Sequence, residues 1–285
     1  MTPQELVSGV VRLVSLPEVC IRVNEMMDDP GVNATEIGKV ISQDTSLTAR
    51  LLKIVNSAFY GFQARIETVS RAVTVIGLRE LRGLVLAASA VESFSKLPND
   101  VLNLVNFWRH SVYCGVVSQL LAQKCNVLHS ERLFVAGLLH DIGKLVITNK
   151  LIDESREVIK RVEKKKKFDF DIEQAVLGFD HAEVGGVLLK EWNMPESLCN
   201  SVMYHHRPKA VTELTIEICI VHIANILANR AEHGINTEFK IQEIEPMALE
   251  MTGLSEEDFE QIMTRASSVF SEALDAILPR AYKPN

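Results

Sequence analysis

The stretch FVAGLLHDIGKLVI, residues 134–147, sets the tightest limit on how this chain can fold. With Leu133 before it, the apolar residues Phe134, Val135, Leu138, Leu139 and Ile142 leave no polar stripe on the helix they would form. A helix of that kind is buried. His140 and Asp141 nevertheless sit side by side within it. An unpaired polar group in such surroundings costs several kcal/mol, and an unpaired charge costs more. The chain must therefore bring a partner to this pair.

The remaining pattern is helical almost throughout. Apolar residues recur at i, i+3 and i+4, and Gly or Pro punctuates them at short intervals. Asn33 or Thr35 can cap a helix carrying Ile37, Val40 and Ile41, and Asp44 or Ser46 starts another, with Leu47, Leu51, Leu52 and Val55, that ends near Gly61. Two further helices are expected on either side of Gly77. The string SKLPNDV, residues 95–101, interrupts the pattern and marks the internal boundary, giving halves 1–97 and 98–285. Beyond it the periodicity predicts helices near 101–125, 131–142, 150–167, 171–190, 195–206 and 213–232. A last helical part starts at Ser255, with Glu257 and Asp258 in its first turn. The fold class expected is all-α, in two packed helical halves.

Several function classes recede on composition. Thirty Lys and Arg against 37 Asp and Glu give a formal charge of −7, without the basic face that a duplex-binding protein presents. The run EKKKKFDFD, with four lysines before two aspartates, reads as a solvated helix end. No apolar run approaches the roughly 18 residues of a membrane span. The N-terminus carries Glu5 and no basic leader, so no secretory signal is expected. Cys20, Cys114, Cys125, Cys199 and Cys219 form no C-x-x-C pair, which fits reduced thiols packed as small hydrophobes in a cytoplasmic protein.

Five more polar residues break apolar runs as His140 and Asp141 do. They are His110 in NFWRHSVYCGVV, His181 opening HAEVGGVLL, His205 and His206 ending SVMYHH, and Asn225 in CIVHIANILA. Imidazole and carboxylate are ligands for zinc, manganese or iron, and a divalent ion would neutralise a buried Asp141 while pairing several imidazoles. A lone histidine on an apolar face is more often a hydrogen-bonded core residue. Neighbours such as His205 and His206 diverge by about 100° on a helix, which would put one of them in solvent. His222 shares a helical face with Asn225 and reads as a core residue or as a support for a ligand, and His129 as an exposed loop residue. Asn56 and Ser57 read as a helix cap or bend, and Phe59, Tyr60 and Phe62 as core.

The order His110, His140-Asp141, His181, His205-His206, with HDIGK as the local hallmark, resembles the HD superfamily of metal-dependent phosphohydrolases. The first half narrows the resemblance to the HDOD family, the HD-related output domains of bacterial signalling proteins. It does so through Leu16-Pro17, Asp29-Pro30, the turn at 41–44, Asn56-Ser57 and Ile76-Gly77-Leu78, and it covers roughly residues 10–230. The resemblance implies an N-terminal helical subdomain packed on an HD-domain-like helical core. It also implies a role as a signal-transduction output or adaptor module that binds a signalling protein or a small nucleotide; the alternative is a metal-dependent phosphodiesterase or phosphohydrolase. Too few residues precede the matched region for a receiver domain, so input is expected through a separate protein.

In two-metal HD enzymes the aspartate of the HD pair bridges the ions. Three later histidines complete one ion, matched by His181, His205 and His206, while His110, His140 and a late aspartate complete the other. Asn225 stands in place of that aspartate. An amide oxygen is a neutral and weaker donor, so one ion, of iron, manganese or zinc, is expected rather than two. Hydrolysis by a two-metal site draws on both ions, so binding is favoured over turnover. HHRPKAVTEL also lacks the Gly-Tyr-Pro that follows the double histidine in cyclic dinucleotide phosphodiesterases. If the site is active, Asp141 and Lys144 are its catalytic candidates. Otherwise Lys144 reads as a snorkelling residue at a helix end.

Overall fold

The computed structural model describes every residue except 12–16, 28, 30, 58, 59, 61, 63, 98, 99, 166, 167, 234–241 and 279–285. Leu16, Pro30, Phe59, Gly61, Pro98, Asn99, Lys166 and Lys167 thus lie outside the described residues. Among those described, every regular element is helical. No helix is long and apolar enough to cross a membrane.

The chain opens with α1 (Pro3–Val11), followed by α2 (Glu18–Met27), α3 (Ala34–Ile41), α4 (Thr45–Val55), α5 (Val69–Ile76) and α6 (Leu78–Ser95). Then come α7 (Leu104–Lys124), α8 (Glu131–Leu139), α9 (Ile142–Lys150), α10 (Ile152–Lys165), α11 (Asp169–Leu177), α12 (His181–Glu191) and α13 (Glu196–Met203). A 3₁₀ turn (Pro208–Ala210), α14 (Ile216–His233), α15 (Pro246–Thr252) and α16 (Glu256–Ile277) complete the order.

Two compact units emerge, one of Met1–Leu13 with Pro98–Ser267, the other of Val14–Leu97 with Ser268–Asn285. This division departs from halves at 1–97 and 98–285 at both ends of the chain. Helix α1 packs against α9 and α12, burying Leu6, Val7 and Val10, and so belongs with the larger unit. The last turns of α16, carrying buried Ala273, Leu274 and Ile277, belong to the smaller one. Amphipathic patterning shows that these faces are buried but not which unit receives them.

In the smaller unit α3, α4 and α5 are short helices with side-chain caps. Asn33 and Glu36 form a reciprocal capping box, with Asn33 accepting from Glu36 N at 3.1 Å and Glu36 accepting from Asn33 N at 3.2 Å. Asp44 caps α4 by accepting from Leu47 N at 2.9 Å. Gly77, at φ +91°, separates α5 from α6. Asn56 caps α4 and staples the following loop, donating to the carbonyls of Leu52 and Ile66 and accepting from Ile66 N. Tyr60 and Phe62 are not core residues: they stack at 6.1 Å, and Phe62 is exposed.

The larger unit centres on α7, which packs against α8 and α14 and is buried almost continuously from Phe107 to Ala122. Two expected helices are each divided. The helix at 131–142 stops at Leu139, and α9 starts at Ile142, so His140 and Asp141 form a junction rather than a mid-helix pair. The helix at 171–190 is broken by Gly178 at φ +86° and restarted by Asp180, which accepts from Glu183 N at 3.0 Å. Apolar periodicity ran through both breaks and concealed them.

Candidate metal centre

Close backbone approach assembles the site. A Cβ on Gly137 of α8 would lie 2.7 Å from Cys114 O and 2.8 Å from Gly115 Cα, so only glycine lets α7 and α8 cross there. That crossing sets His110 of α7 beside His140. On the other side, a Cβ on Gly143 of α9 would lie 2.0 Å from His181 O and 2.7 Å from Gly185 N. The resulting contact of α9 with α12 brings His181, the first residue of α12, against Asp141.

His205 and His206 follow Tyr204, the C-cap of α13, and therefore lie past the helix end. The 100° divergence of helical neighbours does not govern them, and both are buried. His110, His140, Asp141, His181 and Asn225 are buried as well. Ligand atoms of Asp141, His181, His205 and His206 lie within 4.8 Å of one another, as do those of His110, His140 and Asp141. Asn225 Oδ1 is 3.2 Å from His110 Nε2.

Outer contacts decide which nitrogen of each imidazole is free. His140 Nδ1 donates to Gly137 O at 2.7 Å, and His205 Nδ1 to Val202 O at 2.7 Å. His181 Nδ1 donates to Glu173 Oε2 at 2.6 Å, and the same oxygen accepts from His181 N at 2.8 Å. With Nδ1 committed to these acceptors in each ring, Nε2 is the nitrogen left for an ion to take, which is how ligating histidines are commonly prepared. Nε2 atoms converge in pairs: His181 with His206 at 2.9 Å, and His110 with His140 at 3.3 Å. Lone pairs at such distances need a proton or a metal ion between them.

Asp141 divides its two oxygens. Oδ2 accepts from Lys144 Nζ at 2.9 Å, and the same ammonium reaches Asp169 Oδ2 at 2.7 Å. Lys144 is thus no snorkelling residue but a cation held between two carboxylates. Oδ1 lies 3.0 Å from His181 Nε2 and 3.8 Å from His205 Nε2. Neither Asp141 Oδ1 nor His205 Nε2 has a hydrogen-bond partner. Buried orphans of this kind are costly. A divalent cation among Asp141 Oδ1 and the Nε2 atoms of His181, His205 and His206 satisfies all four at once, so the residues present fit such an ion.

Electrostatics follow the same geometry. Burial alone would raise the Asp141 carboxyl, but His140, Lys144 and His181 outweigh it and hold it well below the usual range. Burial pushes the His140 imidazole down to about 4, and His205 and His206 are also driven well below the ordinary value. For His181 burial acts downward, yet Glu173 and Asp141 together raise it to about 10. The pocket is built for positive charge near His181.

On the other side of Asp141, His110 Nδ1 pairs with Glu232 at 3.1 Å. Asn229 Nδ2 donates to Asn225 Oδ1 at 2.9 Å, which turns the amide oxygen toward His110. His222 is not among the inward-facing nitrogens: its Nδ1 donates to His205 O at 2.7 Å and its Nε2 accepts from Glu245 N at 3.1 Å. Glu173, Asp169 and Glu232 were not evident from sequence, since each lies on a different stretch from the residue it supports and none interrupts an apolar run. Asn229, one turn after Asn225 on α14, was missed as well although it ends the same apolar run.

The model of the HDOD domain family matches residues 13–208. A curated protein of Treponema pallidum (strain Nichols), of uncharacterised function, is 28% identical over 215 residues, covering 74% of this chain. The chain spans only 41% of the length of that relative. Among solved structures, a Geobacter sulfurreducens HDOD domain protein of unknown function is 25% identical with TM-score 0.69, covering 96% of both chains. A Shewanella amazonensis SB2B protein described as a candidate phosphohydrolase is 22% identical with TM-score 0.72, covering 95% of this chain and 96% of its own. A Marinobacter aquaeolei VT8 protein described as a candidate signal-transduction protein is 20% identical with TM-score 0.67, covering 93% of this chain and 60% of its own. The last two likenesses are of fold.

Proposed function

This chain belongs to the HDOD domain family, and from that premise we propose that it is a bacterial signalling output or adaptor module. It carries one divalent ion, of iron, manganese or zinc, and acts in the cytoplasm by binding a signalling protein or a small nucleotide rather than by turnover. The observation that carries this reading is the division of labour at Asp141. Oδ1, without a hydrogen bond, faces the imidazoles of His181 and His205, whereas Oδ2 is taken by Lys144. On that second side the ligands are His110, His140 and the neutral oxygen of Asn225. One ion therefore has a carboxylate and three imidazoles, and a second would have to compete with an ammonium for the Asp141 carboxylate.

When bound, the ion would supply positive charge at Asp141 Oδ1 and a shared partner for the imidazoles that face it. The chain's own residues do the rest: Glu173 orients His181, and Lys144 holds Asp141 against Asp169. Free buried thiols and an acidic balance agree with a cytoplasmic setting and with partners other than nucleic acid. A second reading, hydrolysis of a phosphodiester with Asp141 and Lys144 as catalytic residues, is favoured by the complete set of five histidines around Asp141. The likeness in fold to the Shewanella protein is compatible with either reading.

Hydrolysis of an aryl phosphodiester, with manganese, iron or zinc added, separates the two. The proposed function predicts no turnover above that of Asp141→Ala. Robust turnover that disappears in Asp141→Ala would establish the hydrolase instead.

A further inference from the structure

His206 stands apart from the other two histidines around Asp141 Oδ1. Its Nδ1 is held neither by its own turn nor by a neighbouring helix, but by a side chain 36 positions later. Gln242 Nε2 donates to the His206 carbonyl at 2.7 Å, and Gln242 Oε1 faces His206 Nδ1 at 3.3 Å. The first bond fixes which end of the amide points where. With an oxygen opposite Nδ1, that nitrogen must carry the proton, so Nε2 carries the lone pair. Nε2 is the atom that reaches His181 Nε2 at 2.9 Å. On its face, the His206 ring is stacked by Phe170 at 4.1 Å between centroids.

The segment holding Gln242 is itself tied down at its other end. Glu245 N donates to His222 Nε2 at 3.1 Å, and His222 Nδ1 donates to His205 O at 2.7 Å. Lys209 pairs with the Glu245 carboxylate. Residues 242–245 thus touch the His205-His206 turn twice, directly through Gln242 and through His222. Both Gln242 and His222 lie beyond residues 13–208, the part matched by the HDOD family.

Resting on the metal-site reading above, we infer that Gln242 is a positioning residue. It sets the orientation and ring tautomer of His206 so that Nε2 faces the ion, and the segment 242–245 is the clasp that closes this side of the site. Without Gln242, Nδ1 has no acceptor from that segment and the ring is free to place its proton on Nε2, which removes it as a ligand.

The test uses the full chain as wild type, Gln242→Met and Gln242→Glu. Nitrogen-15 NMR of the metal-free protein reads the His206 tautomer, and manganese titration reads affinity. Wild type is expected to carry the proton on Nδ1. Gln242→Met should shift it toward Nε2 and weaken manganese binding by at least about tenfold, the usual range for loss of a group that orients a ligand. Gln242→Glu keeps an acceptor opposite Nδ1 and should keep the wild-type tautomer. An unchanged tautomer in Gln242→Met overturns the inference, as does unchanged manganese affinity. Failure of wild type to bind manganese defeats the metal reading instead, and the tautomer still decides whether Gln242 positions His206.

Discussion

Replacing Gly143 by alanine is the sharpest test of how the fold makes the site. A methyl group here would lie 2.0 Å from His181 O, and ordinary contact begins near 3.4 Å, so the backbones of α9 and α12 must part by about 1.4 Å. Backbone on both sides of the clash leaves no flexible side chain to yield. Overpacking of this kind costs ~1–3 kcal/mol, and the upper part of that range is expected where backbone must move. At an unhindered helical site the same change gains up to ~1 kcal/mol, so the sign of the effect is itself diagnostic. Gly9 of α1, with nothing within 4 Å of its Cβ position, is the matched control. Thermal unfolding should show Gly143→Ala lowered by roughly 4–12 °C, on ~2–4 °C per kcal/mol for a unit of this size, and Gly9→Ala unchanged or slightly raised. Metal ligation tolerates only ~0.2 Å in ligand distances, so Gly143→Ala should also lose ion affinity although it is no ligand. Stabilisation equal to that of Gly9→Ala, with affinity intact, would refute the close crossing of α9 and α12 as the device that presents His181 to Asp141.

Asn225→Asp places a carboxylate beside His110 Nε2, where Asn229 still donates to it, and should raise affinity for a second ion by at least about tenfold, roughly 1.4 kcal/mol, in a competitive manganese titration. Unchanged affinity would show that Lys144, not Asn225, excludes that ion. Burial pushes the Cys20, Cys199 and Cys219 thiols up to about 11, and Cys114 is raised well above the ordinary value. Iodoacetamide near pH 8 should then label these four only on unfolding, read by mass spectrometry, since the thiolate is the reactive form. Rapid labelling of any of them in the native protein would contradict its burial.

The helical class, the caps at Asn33, Asp44 and Ser255, and the set of buried polar residues were legible in the sequence because each is a local signal. Ser255, for example, accepts from Asp258 N at 3.3 Å while Asp258 accepts from Ser255 N at 2.9 Å. What stayed hidden was non-local or masked by apolar periodicity. The junction at His140-Asp141 and the break at Gly178 lie inside runs that read as single helices, and the burial of both His205 and His206 depends on α13 ending at Met203. Lys144 was visible, but its second carboxylate, Asp169, comes from the start of another helix. Glu173 meets His181 only because the chain turns at Gly178, and Gln242 meets His206 from 36 positions later in the chain.

The metal content of the full chain, measured by elemental analysis after purification without added metal and after exposure to iron, manganese or zinc, bears most directly on the ion held by Asp141, His181, His205 and His206. About one ion per chain in the wild type, and none in Asp141→Ala with its helical signal intact, is the expected result. A wild type that holds no ion under any of these conditions would contradict it, and would leave a proton shared between His181 and His206 facing Asp141 Oδ1 in its place.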